Sequence, residues 1–295
     1  MELLSALAAR HDVVALVIED RRDRALPARD RGPGRLARRP HRRSRPGRCH
    51  AALASRRQVA RLRGRAGTDA LRARAWIEDN RRLVDKLSGG RLAYVWLPNT
   101  GGPGYTAFTR YYYAQQDKEG AVIDERYNQG GQVADYIVSE LDRKLMGFFA
   151  QRDGQPATSP TAGIYGPKVM IINESAGSGG DALPYMFRQR KLGPLVGTRT
   201  WGALVGTTGF PPTIDGGGIT APNLAFYDLA GRWAVENEGV APDIEVEYTP
   251  AEVNKGRDPQ LERAVQEAMK LLEQNPVRRV PRPAPIDRVS RTGTR

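Results

Sequence analysis

Asn173-Glu174-Ser175-Ala176-Gly177-Ser178-Gly179-Gly180-Asp181 follows directly on the apolar run Lys168-Val169-Met170-Ile171-Ile172. Such a run bounded by small residues predicts a buried strand, and residues 179–190 have a helical apolar period. Ser178 therefore falls at a strand-to-helix turn. Unpaired N–H groups and the dipole at a helix amino terminus favour negative charge, so a serine there can attack a carbonyl whose oxyanion is stabilised in place. A plainer role also fits, because Ser178 with Asp181 three residues on has the form of a capping box. The G-x-S-x-G elbow of hydrolases is not met, since Ala176 stands at its first glycine. A second cluster, Asp124-Glu125-Arg126-Tyr127-Asn128-Gln129-Gly130-Gly131, ends another apolar run. Glycines there let backbone N–H groups approach a ligand, though an ordinary tight turn would use them too. On adjacent strands, these two turns would supply both donors of an oxyanion hole, Gly131 and Gly179.

The elements that must position these residues are read from periodicity. Helices are expected over 76–87, 105–116, 133–145, 179–190 and 260–273, and strands over 92–97, 120–125, 168–173 and 194–197. Phe108, Tyr111 and Tyr112 form an aromatic stripe of core type. Alternating strands and helices predict an α/β fold with parallel strands, whose ligand sites lie beyond the strands' carboxyl ends. Past Trp201 the sequence turns β-like and Gly-rich, and the tail 275–295 is Pro- and Arg-rich.

Composition divides the 295 residues unevenly. Residues 1–75 hold 20 Arg, no Lys and 7 acidic residues, hence the entire net charge of +13; the remainder balances 26 basic against 26 acidic residues. Residues 21–65 carry too little apolar area to offset chain entropy, so 1–74 is expected to be mostly disordered, with a short helix and strand within 1–20 as a possible adaptor remnant. Arginine without lysine also fits translation of a GC-rich message in the wrong frame. A basic arm can bind phosphate, but Trp76 is the first aromatic, so specific nucleic-acid recognition is not expected. The single Cys49 excludes a disulfide framework and cysteine-rich zinc modules. No apolar run reaches 18 residues and no secretory leader is evident, so the expectation is a cytoplasmic chain with no membrane segment.

Residues 76–273 resemble the catalytic domain of tricorn-type proteases, within the serine peptidases that include tail-specific, carboxyl-terminal processing proteases. The words that carry the resemblance are Asn80-Arg81-Arg82, Ser88-Gly89-Gly90-Arg91, Asn128 to Gly131, Asn173 to Asp181, Gly197-Thr198-Arg199-Thr200-Trp201-Gly202 and Val235-Glu236-Asn237-Glu238-Gly239-Val240-Ala241-Pro242-Asp243. The resemblance implies a crotonase and ClpP-like α/β spiral over 75–274, Ser178 as nucleophile and Gly131 with Gly179 as oxyanion donors. It further implies Glu236 as the carboxylate that orients the catalytic base, peptides or unfolded chain ends as substrates, a homo-oligomeric ring, and no metal or organic cofactor.

A serine hydroxyl needs an adjacent base, and here the sequence departs from the family. Processing proteases carry a lysine in a Thr-aromatic-Gly-Lys word, where this chain has Ala203, 25 residues after Ser178. Tricorn-like proteins use a histidine instead, yet His11, His41 and His50 are the only histidines and none lies in 76–295. The propeller and PDZ domains that precede this half in the family are not expected within these residues. The expectation is therefore a serine endopeptidase domain, with an inactive, peptide-binding fragment as the alternative. Gln129, Ser175 and Ala203 replace residues common in the family and would reshape the substrate channel, and Phe148 with Phe149 would line a side-chain pocket.

Overall fold

The computed structural model describes residues 68–284 except 208, 210, 219, 278 and 279. The expectations for the Arg-rich segment and most of the tail lie outside these residues. The chain divides into units 1–76 and 77–295, and the second holds the fold. Its elements in order are α1 (Asp69–Leu87, beginning in the first unit), β1 (Leu92–Trp96), α2 (Gly102–Tyr113), β2 (Gly120–Asp124), α3 (Ala134–Leu141), β3 (Gly147–Phe149) and β4 (Ala157–Ser159). Then come β5 (Lys168–Ile172), α4 (Gly179–Gln189), β6 (Leu195–Gly197), β7 (Ile244–Glu245), α5 (Pro250–Asn254) and α6 (Pro259–Gln274).

Five strands form a parallel sheet in the order β1-β2-β5-β6-β7, with Ile123 beside Met170 and Ile171 beside Val196. This is the α/β fold with parallel strands that the sequence predicts. Every residue of β2 and β5 is buried, as the apolar runs between Lys168 and Ile172 and up to Asp124 require of strands covered on both faces. Alternate residues serve opposite faces. Val95, Ile123, Met170 and Ile172 join Phe108, Ile137, Leu183 and Phe187 of α2, α3 and α4 in one core. The other face, with Val122, Val169 and Ile171 in its strands, is covered by α6, which crosses β1, β2, β5 and β6 and buries Leu261, Ala264, Ala268 and Leu272.

Two expectations are corrected. The helix expected over 133–145 ends at Leu141, because Met146 N–H donates to Ser159 O and Gly147–Phe149 pairs with Ala157–Ser159 in an antiparallel ladder. Among the described residues, the β-like stretch past Trp201 supplies only the two-residue β7 and two isolated bridges, Gly206 with Leu224 and Tyr227 with Trp233. Pro211, Pro212 and Pro222 lack the N–H that a ladder needs. What matters for chemistry is that β1, β2, β5 and β6 run the same way, so the turns after them open at one edge of the sheet.

Candidate active site

Ser178 is the residue before α4, and its backbone adopts φ 57° and ψ −116°, a region that L-residues rarely occupy. Its side chain makes no capping bond, so the capping-box role is not the one it plays. The glycines around it make that turn possible. A methyl built on Gly130, which has φ 80°, would stand 2.7 Å from Ser178 Cβ and 3.0 Å from its Oγ. One built on Gly179 would fall 1.9 Å from Thr100 Oγ1, 2.3 Å from Gly131 O and 2.8 Å from Gly131 N. Thus the turns after β1, β2 and β5 meet in van der Waals contact, with Gly131 and Gly179 adjoining. Neither the Gly131 nor the Gly179 amide donates to an acceptor among the described residues.

The loop after β6 is clamped against this turn by its own consecutive N–H groups. Trp201 N donates to Ala176 O at 2.9 Å, Gly202 N to Asp181 Oδ1 at 2.8 Å and Ala203 N to Asp181 Oδ2 at 3.0 Å. Leu204 N and Val205 N both donate to Glu236 Oε2 at 2.7 Å. Charge-assisted bonds of this kind are about twice as strong as neutral ones. Asp181 therefore serves the loop, with both its oxygens. Glu236, half-buried, belongs to the same construction, two loop residues beyond Ala203. Trp201 covers Gly177: its Cε3 lies 2.7 Å from where a methyl on that glycine would be, and the indole is 70% exposed.

Below the turns, Asn128 is a hub. Its O accepts from Gly177 N at 3.1 Å and its Oδ1 from Gly130 N at 2.9 Å, while its Nδ2 donates to Glu125 Oε2 at 3.2 Å. Glu125 and Asp181 are both fully buried. Burial pushes the Glu125 carboxyl well above the usual carboxylate range, and Asp181 and Asp124 add to the effect against the Asn128 bond.

Sequence reading left Thr100, Asn128 and Glu125 without individual roles at this edge. Thr100 lies in Pro98-Asn99-Thr100-Gly101-Gly102, a small polar turn just after β1 of the same kind as the other two turns. Phe148 and Phe149 belong to the separate β3–β4 hairpin. Among the described residues no three His, Cys, Asp or Glu side chains gather as a metal site, no helix is long and apolar enough to cross a membrane, and there is no histidine beside Ser178.

Comparison with known proteins bears on the family and the fold. The family description Peptidase family S41 matches residues 91–246. The chain is 39% identical over 203 residues to the tricorn protease of Thermoplasma volcanium, covering 69% of this chain and 20% of that protein. It is 38% identical over 216 residues to tricorn protease homolog 1 of Streptomyces coelicolor, covering 73% and 20% respectively. A crystal structure of the tricorn protease superposes with a TM-score of 0.66 at 38% identity, covering 68% of this chain and 20% of that one. The chain spans about a fifth of the length of the relatives it matches.

Proposed function

The chain belongs to peptidase family S41, and on that premise we propose that it is a serine-type endopeptidase domain of the tricorn and tail-specific group, acting on peptides or unfolded chain ends. Ser178 Oγ attacks the scissile carbonyl, forming the acyl-enzyme through a tetrahedral oxyanion that accepts hydrogen bonds from the Gly131 and Gly179 amides. One such donor is worth about 3 to 4 kcal/mol at a transition state. Glu236 orients the base that takes the serine proton and returns it to the leaving amine. That base comes from outside the described residues. Cytoplasmic location and homo-oligomeric assembly are part of the same proposal and rest on resemblance. The single observation that carries the reading is the strained Ser178 turn, whose hydroxyl is uncommitted among the described residues, beside two amides that have no acceptor among them.

A fluorophosphonate probe tests it, because phosphonylation requires an activated hydroxyl. Label on Ser178 by peptide mapping, abolished in Ser178→Ala, is the expected result; label confined to other serines defeats the assignment. The second reading, a catalytically silent fragment that keeps peptide or subunit binding, is favoured by the lack of histidine in 76–295. It predicts a folded chain that takes no label at all.

A further inference from the structure

Glu125 has no part in the proposed chemistry, yet it is fully buried one residue beyond β2 and immediately beneath the site. Its Oε2 accepts from Asn128 Nδ2, whereas its Oε1, also buried, has neither donor nor acceptor among the described residues; a neutral hydroxyl bears that isolation at far less cost than a charged oxygen. An ionised carboxylate needs donors on both oxygens, and one buried without them is costly. The carboxylates that bear on it are Asp181 in α4 and Asp124 in β2. Asp124 is matched by Arg126, whose Nε and Nη2 donate to its two oxygens at 2.9 and 2.6 Å. Asp181 is held by the Gly202 and Ala203 amides. Among the described residues no cation bears on Glu125.

We propose that Glu125 is a positioning residue that works as an uncharged acid: with its proton on Oε1 it holds Asn128, and through Asn128 the Gly130–Gly131 turn and the Gly177–Ser178 turn. This deepens the hydrolase reading and rests on it for its effect on reactivity, though not for the protonation state itself. Ionisation would set a second buried negative charge beside Asp181 and draw Asn128 away from Gly130 and Gly177. Two hydrogen bonds that fix the adjoining turns would then be strained together. Glutamine reproduces the neutral shape at every pH; alanine removes the contact.

The test compares the full chain as wild type, Glu125→Gln and Glu125→Ala. A carboxyl whose folded pKa is raised contributes stability that is whole below its unfolded pKa and is lost as pH rises towards the folded value. The folding equilibrium constant of the wild type should therefore fall relative to Glu125→Gln by about tenfold per pH unit above about pH 4.3. Amide hydrogen exchange of the peptide holding Gly130 should be at least about tenfold faster in Glu125→Ala than in Glu125→Gln, because its acceptor Asn128 Oδ1 is no longer held. Fluorophosphonate labelling of Ser178 should follow the same order. Parallel stability curves for wild type and Glu125→Gln would overturn the neutral acid, and equal exchange in the two variants would overturn the positioning role. Should Glu125→Ala not fold, rapid exchange in the wild type above the pH where its stability falls, absent in Glu125→Gln, replaces that comparison. A wild type that takes no label defeats the hydrolase reading alone, since stability and exchange still decide the state of Glu125.

Discussion

Ser178 and Val235 hold φ at 57° and 75° although neither is glycine. Such conformations cost on the order of 1–3 kcal/mol and persist only where surrounding contacts determine them; a β-branched residue is the harder case. Val235 is 5% exposed in the core, and its O accepts from Glu238 N and Gly239 N. The strain there fixes the direction of the next residue, Glu236, as the strain at Ser178 fixes its hydroxyl. Because one Glu236 oxygen accepts both Leu204 N and Val205 N, an amide carbonyl can take its place. Glu236→Gln should thus keep stability within about 1 kcal/mol by urea unfolding, whereas Glu236→Ala, which leaves two amides unpaired, should lose about 2 kcal/mol. If Glu236 acts through its charge on the base, the Gln variant should still lose about 100-fold in the rate of Ser178 labelling. Labelling at the wild-type rate would reduce Glu236 to a loop clamp.

The turns after β1, β2 and β5 act as one element, because Gly179 adjoins Thr100 and Gly131. Gly179→Ala places a methyl 1.9 Å from Thr100 Oγ1 and 2.3 Å from Gly131 O. Backbone cannot step aside as a side chain can, so the variant should lose about 1–3 kcal/mol and its Ser178 reactivity. Gly102→Ala, in the first turn of α2 with nothing within 4 Å of the new methyl, is the control. It should be neutral or stabilising by up to about 1 kcal/mol. Equal loss in both would mean that the close approach does not govern the site. The strands that carry these turns were legible because β1, β2 and β5 are apolar runs closed by Pro98 or glycine-rich words. The end of α3 was not, since the apolar period continues through Leu145 while pairing with 157–159 decides against the helix. Ser178 stood out through its neighbours, but Asp181 fitted a cap equally well by spacing. Only the path of the 201–205 loop, set by long-range contacts, assigns its carboxylate to Gly202 and Ala203.

At the scale of the whole described fold, polar groups pin the two ends of the sheet differently. At the carboxyl end, fully buried Arg126 joins Asp124 to Asp258, which also caps α6 by accepting from Leu261 N at 3.0 Å. Asp258→Ala would strip a cap and remove one of the two carboxylates that hold the buried Arg126, which keeps its bonds to Asp124, so urea unfolding should show a loss of about 2–4 kcal/mol. Adding Arg126→Met should deepen the loss, because the buried Asp124 carboxylate then lacks the guanidinium that holds both its oxygens. At the amino end, Lys168 opens β5 with 5% exposure and donates to Gly166 O, beside a cavity of about 840 Å³. Burial, helped by Lys144 and opposed by Asp142, lowers its amine from 10.5 to about 8. A lysine that binds its proton less tightly when folded weakens the fold at neutral pH, and that penalty fades as pH climbs from the folded towards the unfolded pKa. Wild type should therefore gain on Lys168→Met by about 3 kcal/mol between about pH 8 and pH 10.5. Labelling of Ser178, at the opposite end of the strands, should not change in this variant. Stability curves that stay parallel over that range would show that the amine keeps its ordinary affinity for the proton, and that water reaches it through the cavity.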